Sequence, residues 1–385
     1  MRQRLITFAR DYSFFVFGPR ACGKTTWIKY CFPEAFLINL LDPIEEEKFA
    51  SRPNELVAVC KASKASHILI DEIQKVPKLL DIVHHLIETT DKLFILTGSS
   101  ARKLKYGGAN LLAGRAFVYH LHPFSALELP SDQALQDLLQ WGMLPKINSF
   151  KSEQSKSEYL QAYAHTYLKE EIWAEQFVKD LAPFRKFLEV AAQGNGKIVN
   201  FSNIAKDVGV TDETIKRYYS ILEDTMIGFF LEPFKSSFRK RLSQKPKFYF
   251  FDTGVTRALS KTLSVNLVES TYAFGNTFEH HIILECFKLA SYYKREFGFS
   301  YIQTQAGQEI DLVIERPGQS LLLIEVKSSI QVNPESLKSF IELSADIPEA
   351  EAICLSRDIY PKQIEHVRVL PWQDGLKEIF ELNFH

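Results

Sequence analysis

Between positions 11 and 122, short β-like runs at 14–17, 36–40, 67–70, 93–96 and 117–121 alternate with stretches of helical period. Apolar runs of this length, bounded by turn formers, read as strands buried on both faces, and intervening helices make their sheet parallel. The pattern predicts an α/β protein whose residues 1–124 form a three-layer parallel core. From 125 to 193 the period turns helical, with Tyr159, Tyr163, Tyr167 and Glu171 spaced by four. This predicts a helical lid or linker with the tyrosines in its core. Residues 194–250 carry two short helices, one capped by Ser202 and stopped by Gly209, the next opened by Thr211 with Asp212 and Glu213 in its first turn. They read as a helix-turn-helix. Ile215, Tyr219 and Leu222 share the apolar face of the second helix, leaving Lys216, Arg217 and Ser220 outward.

Residues 251–385 form the last segment. A helix over about 275–293 carries the stripe Phe278, Ile282, Cys286, Leu289 and Tyr293. Strands at 309–314 and 321–327 flank a turn at Pro317-Gly318, and a helix near 335–343 leads to a strand at 352–355 as a crossover.

A chain of 385 residues exceeds what one hydrophobic core organises, which agrees with several domains. The net charge of −1 means that any nucleic-acid contact must come from local patches. The five cysteines lack CxxC spacing, so neither a zinc site nor a disulfide framework is expected, and reduced thiols fit the cytoplasm. With no apolar run of membrane-spanning length and no signal-peptide core, neither a membrane span nor secretion is expected. The pairs His84-His85 and His280-His281 are adjacent along a helix and do not face one another, so no metal is assigned to them.

Directly after the first strand, Gly18-Pro19-Arg20-Ala21-Cys22-Gly23-Lys24-Thr25-Thr26 fits the phosphate-cradling pattern GxxxxGK[ST]. Glycines at both ends let backbone N–H groups turn inward around a phosphate. Lys24 adds positive charge over the β/γ oxygens, and Thr25 offers a hydroxyl to Mg²⁺. The third run ends in Asp71-Glu72, which supplies one carboxylate for the metal shell and one to polarise water. The fourth ends in Thr97, Ser99 and Ser100, any of which could reach the γ-phosphate or the attacking water, or simply form the turn. ATP and ADP with Mg²⁺ are the expected ligands.

These residues resemble an AAA-type P-loop ATPase, with Asp71-Glu72 in the Walker B position and the strand end Thr97 to Ser100 as sensor. More narrowly, Gly18-Pro19-Arg20, the segment Leu96 to Leu104 and Leu112-Ala113-Gly114-Arg115 resemble a widespread prokaryotic family that joins an AAA core to a C-terminal domain of unknown function. Ala21-Cys22 stands where many members carry Gln-Val. The resemblance implies an arginine finger acting on a neighbouring subunit, with Arg115 or Arg102 as candidates, and hence a homo-oligomer, a ring or a dimer. The alternative is that either arginine sits in a surface ion pair.

Two further features bear on DNA. The helix-turn-helix precedes a basic run, Lys235, Arg239, Lys240, Arg241, Lys245 and Lys247, suited to phosphate contacts as a wing; a docking role without DNA is the alternative. In the last segment, strand alternation puts Glu309 with Asp311 on one face of the first strand and Glu325 with Lys327 on one face of the second. A register centred on Gly318 sets Asp311 opposite Glu325 and Glu309 opposite Lys327. Opposed carboxylates need neutralising, which a divalent cation would do, and Glu279 can face the same space. The set resembles restriction-endonuclease-like nucleases. That resemblance implies Asp311, Glu325 and the Val326 carbonyl on Mg²⁺, Glu279 completing the shell, and Lys327 positioning water or the scissile phosphate. The expected protein is an ATP-binding, Mg²⁺-dependent ATPase acting on or near DNA. An ATP-dependent DNA nuclease and a nucleotide-gated interaction switch are the alternatives.

Overall fold

The computed structural model describes residues 2–99, 112, 114–167, 181–234 and 245–382, which divide into two compact units. Ser100, Arg102, Glu171, Lys235, Arg239, Lys240 and Arg241 lie outside the described residues.

The first unit comprises Met1–Phe124 with Leu144–Lys146 and Ser220–Ile227. Its elements are β1 (Ser13–Phe17), α1 (Lys24–Cys31), β2 (Phe36–Asn39), α2 (Pro43–Ser51), α3 (Glu55–Ala62), β3 (His67–Asp71), α4 (Leu79–Thr89), β4 (Leu93–Gly98) and β5 (Ala116–His120). All five strands run parallel in the order β2-β3-β4-β1-β5. β1, β3 and β4 are the apolar runs of the sequence because both their faces are covered; Phe15, Phe17, Ile68, Ile70, Phe94 and Leu96 share one core with Val83 and Leu86 of α4. The chain leaves β1 on one side, returns through β3 and β4, then crosses to β5 on the other. The carboxyl end of β1 is therefore a topological switch point, where parallel sheets collect ligands.

The second unit comprises Ser125–Met143, Ile147–Tyr219 and Gly228–His385. Its helices begin with α5 (Leu135–Trp141), α6 (Glu153–Ala162), α7 (Leu181–Gln193), α8 (Phe201–Val208) and α9 (Asp212–Asp224), the last entering the first unit at Ser220. There follow β6 (Gly228–Pro233), β7 (Lys247–Phe250), α10 (Thr253–Leu259), α11 (Tyr272–Tyr292), β8 (Gly298–Gln303), β9 (Glu309–Glu315) and β10 (Leu322–Lys327). The chain closes with α12 (Pro334–Ala345), β11 (Glu351–Ser356), β12 (Lys362–Ile364), β13 (Val367–Pro371) and α13 (Trp372–Ile379). The eight strands form one mixed sheet in the order β12-β13-β11-β10-β9-β8-β6-β7.

Several expectations change here. Most of residues 125–385 lie in one compact unit, and β6 pairs parallel with β8 and carries the hairpin β6–β7 into the same sheet. α8 is capped by Asn200, whose side chain accepts from Asn203 N, and not by Ser202, whose hydroxyl bonds Asp212. Gly209 closes that helix at φ 87°, a conformation costly for residues with a Cβ. Ile215, Tyr219 and Leu222 are buried while Lys216, Arg217 and Ser220 are exposed, as the helical period requires. Tyr163 is fully buried, whereas Tyr159 is only half-buried. The β9–β10 register runs Leu322↔Ile314 to Ile324↔Leu312, which is symmetric about Gly318.

Candidate functional site

At the carboxyl end of β1 the chain turns through Gly18–Gly23 into α1. A Cβ on Gly18 would lie 2.1 Å from the Leu121 carbonyl oxygen, so the turn can leave the sheet beside β5 only with glycine here. Gly23 sits at φ 93° and Ala21 at φ 63°, left-handed conformations that coil the loop before the helix starts. Lys24 Nζ donates to Gly18 O at 2.7 Å and Pro19 O at 3.2 Å, which returns the ammonium to the loop's own backbone. Arg20, Ala21 and Thr26 are exposed, and Cys22 is buried. Burial raises the Cys22 thiol pKa, against the lowering effect of Lys24 and Arg4, which disfavours the thiolate.

Asp71 ends β3, one strand away from β1 across β4. Its carboxylate accepts from Thr25 Oγ1 at 2.8 and 2.9 Å and also from Thr97 Oγ1. Thr97 in turn accepts from the Glu72 backbone N–H at 3.0 Å. Glu72 adopts φ 60°, a strained conformation for a side-chain-bearing residue that turns the chain out of the strand immediately after Asp71. Gln74 Nε2 bonds the Glu72 carboxylate and, at 3.3 Å, Ser99 Oγ. The first helix, the β3 end and the β4 end therefore converge on one constellation. Its hydroxyls and carboxylates are the ligand types that hard divalent cations prefer.

Arg115 is elsewhere. It precedes β5 at the strand's amino end, about 16 Å along the sheet from the loop, and pairs with Glu88. Residues missed by the sequence reading are Arg4 and Gln74. Arg4 Nη1 donates to Cys22 O at 3.2 Å, and Nη2 to His122 O at 2.7 Å and Pro123 O at 3.3 Å, bracing the loop from below. Neither carries a local motif that would mark it.

The second unit holds another acidic constellation. Carboxylate oxygens of Glu279, Glu309 and Asp311 lie within 4.8 Å of one another. Glu279 comes from α11 and accepts from Tyr249 Oη at 2.7 Å; Glu309 accepts from Gln303 Nε2 at 2.8 Å. Lys247, expected in an exposed basic arm, is buried instead. It pairs with Glu309 and stands 3.6 Å from Glu279, because β7, although an edge strand, is buried along its whole length. Lys245 Cα precedes that strand, and its carbonyl bonds Tyr301 Oη. The expected set of Glu279, Asp311 and Glu325 is thus redrawn, with Glu309 joining Glu279 and Asp311. Glu325 pairs with Lys327 of its own strand at 2.6 Å, so the cross-strand pairing of Glu309 with Lys327 is not made. Asp311 Oδ2 accepts from Val326 N at 2.8 Å, while Glu325 Oε2 is buried without a hydrogen-bond partner. Burial, then Glu325 and Glu279, push the Asp311 carboxyl pKa well up. Burial likewise raises Glu325, against the lowering effect of Lys327. A cavity of about 550 Å³ opens on Lys247, Glu279 and Glu309.

Known families resemble separate stretches of the chain. Residues 10–129 match a family model described as an AAA domain. Residues 132–266 and 274–374 match two different models, each described as a domain of unknown function. Uncharacterized proteins from Mycobacterium bovis and Mycobacterium tuberculosis are each 24% identical over 306 residues, which cover 78% of this chain and 67% of theirs. The AAA match supports a nucleotide-binding ATPase in the N-terminal unit. Among the described residues no helix is long and apolar enough to cross a membrane.

Proposed function

We propose that the chain is a Mg²⁺-dependent ATPase of the AAA type. Gly18 to Thr26 bind the triphosphate. Thr25 and Asp71 hold the magnesium ion, which supplies charge neutralisation at the β/γ oxygens when bound. Lys24 leaves the Gly18 and Pro19 carbonyls for the phosphate oxygens. Glu72, oriented by Gln74, accepts a proton from the attacking water, and Ser99 positions the γ-phosphate side of the site. The observation that carries this reading is the contact of Thr25 Oγ1 with both oxygens of Asp71, at 2.8 and 2.9 Å, at the foot of the phosphate loop. ATP binding and phosphate release measured for the parent, Lys24→Ala and Glu72→Gln provide the test. Lys24→Ala is expected to lose binding. Glu72→Gln is expected to keep binding and lose turnover by about 100-fold or more. Turnover that persists in Lys24→Ala refutes the assignment. Arg115 serves as a finger only across a subunit boundary, so ATP-dependent assembly, read as mass by light scattering, belongs to the same proposal.

For the second unit the reading is a divalent-cation centre of nuclease-like composition that brings the ATPase to DNA. Glu279, Glu309 and Asp311, clustered within 4.8 Å, support a cation site, with Lys327 and Glu325 beside it. α8 and α9 followed by the hairpin β6–β7 support a winged helix whose exposed Lys216 and Arg217 meet phosphates. Cleavage of duplex, single-stranded and branched DNA with Mn²⁺, compared with Asp311→Asn, tests the centre. Equal cutting by both proteins removes it.

A further inference from the structure

Beside α10 lies a cavity of about 360 Å³ that neither the ATP site nor the acidic centre accounts for. Gln193, Lys197, Arg257, Asn266 and Asn276 line it, and no aspartate or glutamate does. Arg257 is buried, yet among the described residues it pairs with no carboxylate. Its Nη2 donates to the carbonyls of Thr262, at 2.6 Å, and Val265, while Nε is buried without any partner. Carbonyl dipoles satisfy donors without cancelling a whole charge, so a buried guanidinium held this way is a charge awaiting an anion. Burial draws its pKa down only to about 10, which leaves it cationic at neutral pH.

We propose that this cavity binds a phosphate group, with Arg257 and Lys197 supplying the charge and Asn276 a neutral donor. Amide side chains and a guanidinium are the donors that phosphate oxygens take, and the lining offers no carboxylate to repel them. The cavity shares Asn195, Lys197, Tyr272 and Asn276 with the larger one that opens on Glu279 and Glu309. A phosphate held here therefore stands beside the cavity that opens on the acidic cluster. The anion is either inorganic phosphate or the terminal phosphate of a polynucleotide.

The experiment uses the full chain carrying Lys24→Ala, so that the phosphate loop does not report. Inorganic phosphate is titrated by calorimetry, with saturable binding at one site expected. Asn276→Asp places a carboxylate in the cavity without touching the Arg257 contacts and is expected to weaken binding about tenfold or more. Arg257→Gln should act in the same direction, with its melting curve checking that the loop at Thr262 is kept. A 5′-phosphorylated single strand that binds about tenfold tighter than its 5′-hydroxyl form, and loses that advantage in Asn276→Asp, assigns the polynucleotide end. Equal binding of the two strands beside saturable inorganic phosphate assigns the free ion. Absence of saturable phosphate binding, or binding that Asn276→Asp leaves unchanged, overturns the site.

Discussion

Replacing Lys247 by Met asks whether the acidic centre of the second unit is held together by an internal cation. Methionine keeps most of the stem and removes an ammonium that is 3% exposed, 3.6 Å from Glu279 and closer still to Glu309. Burial alone would lower the lysine pKa, but Glu279, Glu309 and Asp311 hold it raised, so the group is charged at any working pH. At 3.6 Å a unit charge pair is worth about 5 kcal/mol at an effective dielectric of about 20. Breaking a buried pair costs about 3–5 kcal/mol, because the abandoned charges stay desolvated. With Glu279 21% and Glu309 25% exposed, water answers part of that loss, which sets the expectation at the lower end, about 3 kcal/mol. Urea unfolding of the full chain, followed by circular dichroism, measures it. Mn²⁺ is then titrated into both proteins. In the variant a divalent ion takes the place of the ammonium and adds about 2.7 kcal/mol at a hundredfold excess over its Kd. The parent gains less, since the ion competes with Lys247. A variant as stable as the parent, or equal gains from Mn²⁺, refutes the reasoning.

Gly18→Ala forces the Leu121 carbonyl away from a Cβ built 2.1 Å from it, and should destabilise the first unit by about 3 kcal/mol in urea unfolding while weakening ATP binding. Thr97→Val keeps shape but deletes the hydroxyl between Asp71 and the Glu72 amide; about 1–3 kcal/mol of stability should go, with phosphate release falling more than ATP affinity. Lys288→Met addresses pH. Fully buried Glu285 is raised by burial but lowered overall by Lys288, His281 and Ser125, so in the parent its contribution is present above the unfolded value near 4.5 and is lost as pH falls through the lower folded value. Without Lys288, 3.0 Å away, the folded carboxyl rises instead, and its stability is lost as pH climbs past 4.5. The gap between parent and variant should therefore be wider at pH 7 than at pH 4, by melting temperature; a gap that does not change with pH would contradict the pairing.

What the sequence disclosed follows from how far apart the interacting residues are. The phosphate loop is legible because the turn, the two glycines and the lysine are contiguous, and the apolar strand before it has a local period. The β9–β10 register was readable because a hairpin about Gly318 is a short-range object. Lys247 defeated the same reasoning. Among basic neighbours it scans as part of an arm, while its partner Glu309 is 62 positions away, too far for any local pattern to display the pairing. Asn200 lost to Ser202 for a different reason: both are good caps, and the choice depends on which residue keeps extended backbone, φ −113° for Asn200, something the packing of α8 decides.

The two acidic constellations solve charge in opposite ways, and this bears on which needs a metal. Asp71 is 3% exposed, and among the described residues only the neutral hydroxyls of Thr25 and Thr97 bond its carboxylate. Hydroxyls stabilise an anion without cancelling it, which on the proposed ATPase reading favours a divalent ion arriving with the nucleotide. The centre in the second unit already contains two ammonium groups, Lys247 against Glu279 and Glu309 and Lys327 against Glu325. A cation entering there gains only what those lysines release. On the proposed reading, the first site depends on a metal because no basic side chain partners Asp71 among the described residues, whereas metal binding in the second is graded by how readily Lys247 gives way. That difference predicts ATP turnover abolished by chelation and a second unit whose folding chelators leave intact. Loss of the second unit's structure on adding EDTA would show that its lysines do not carry the charge.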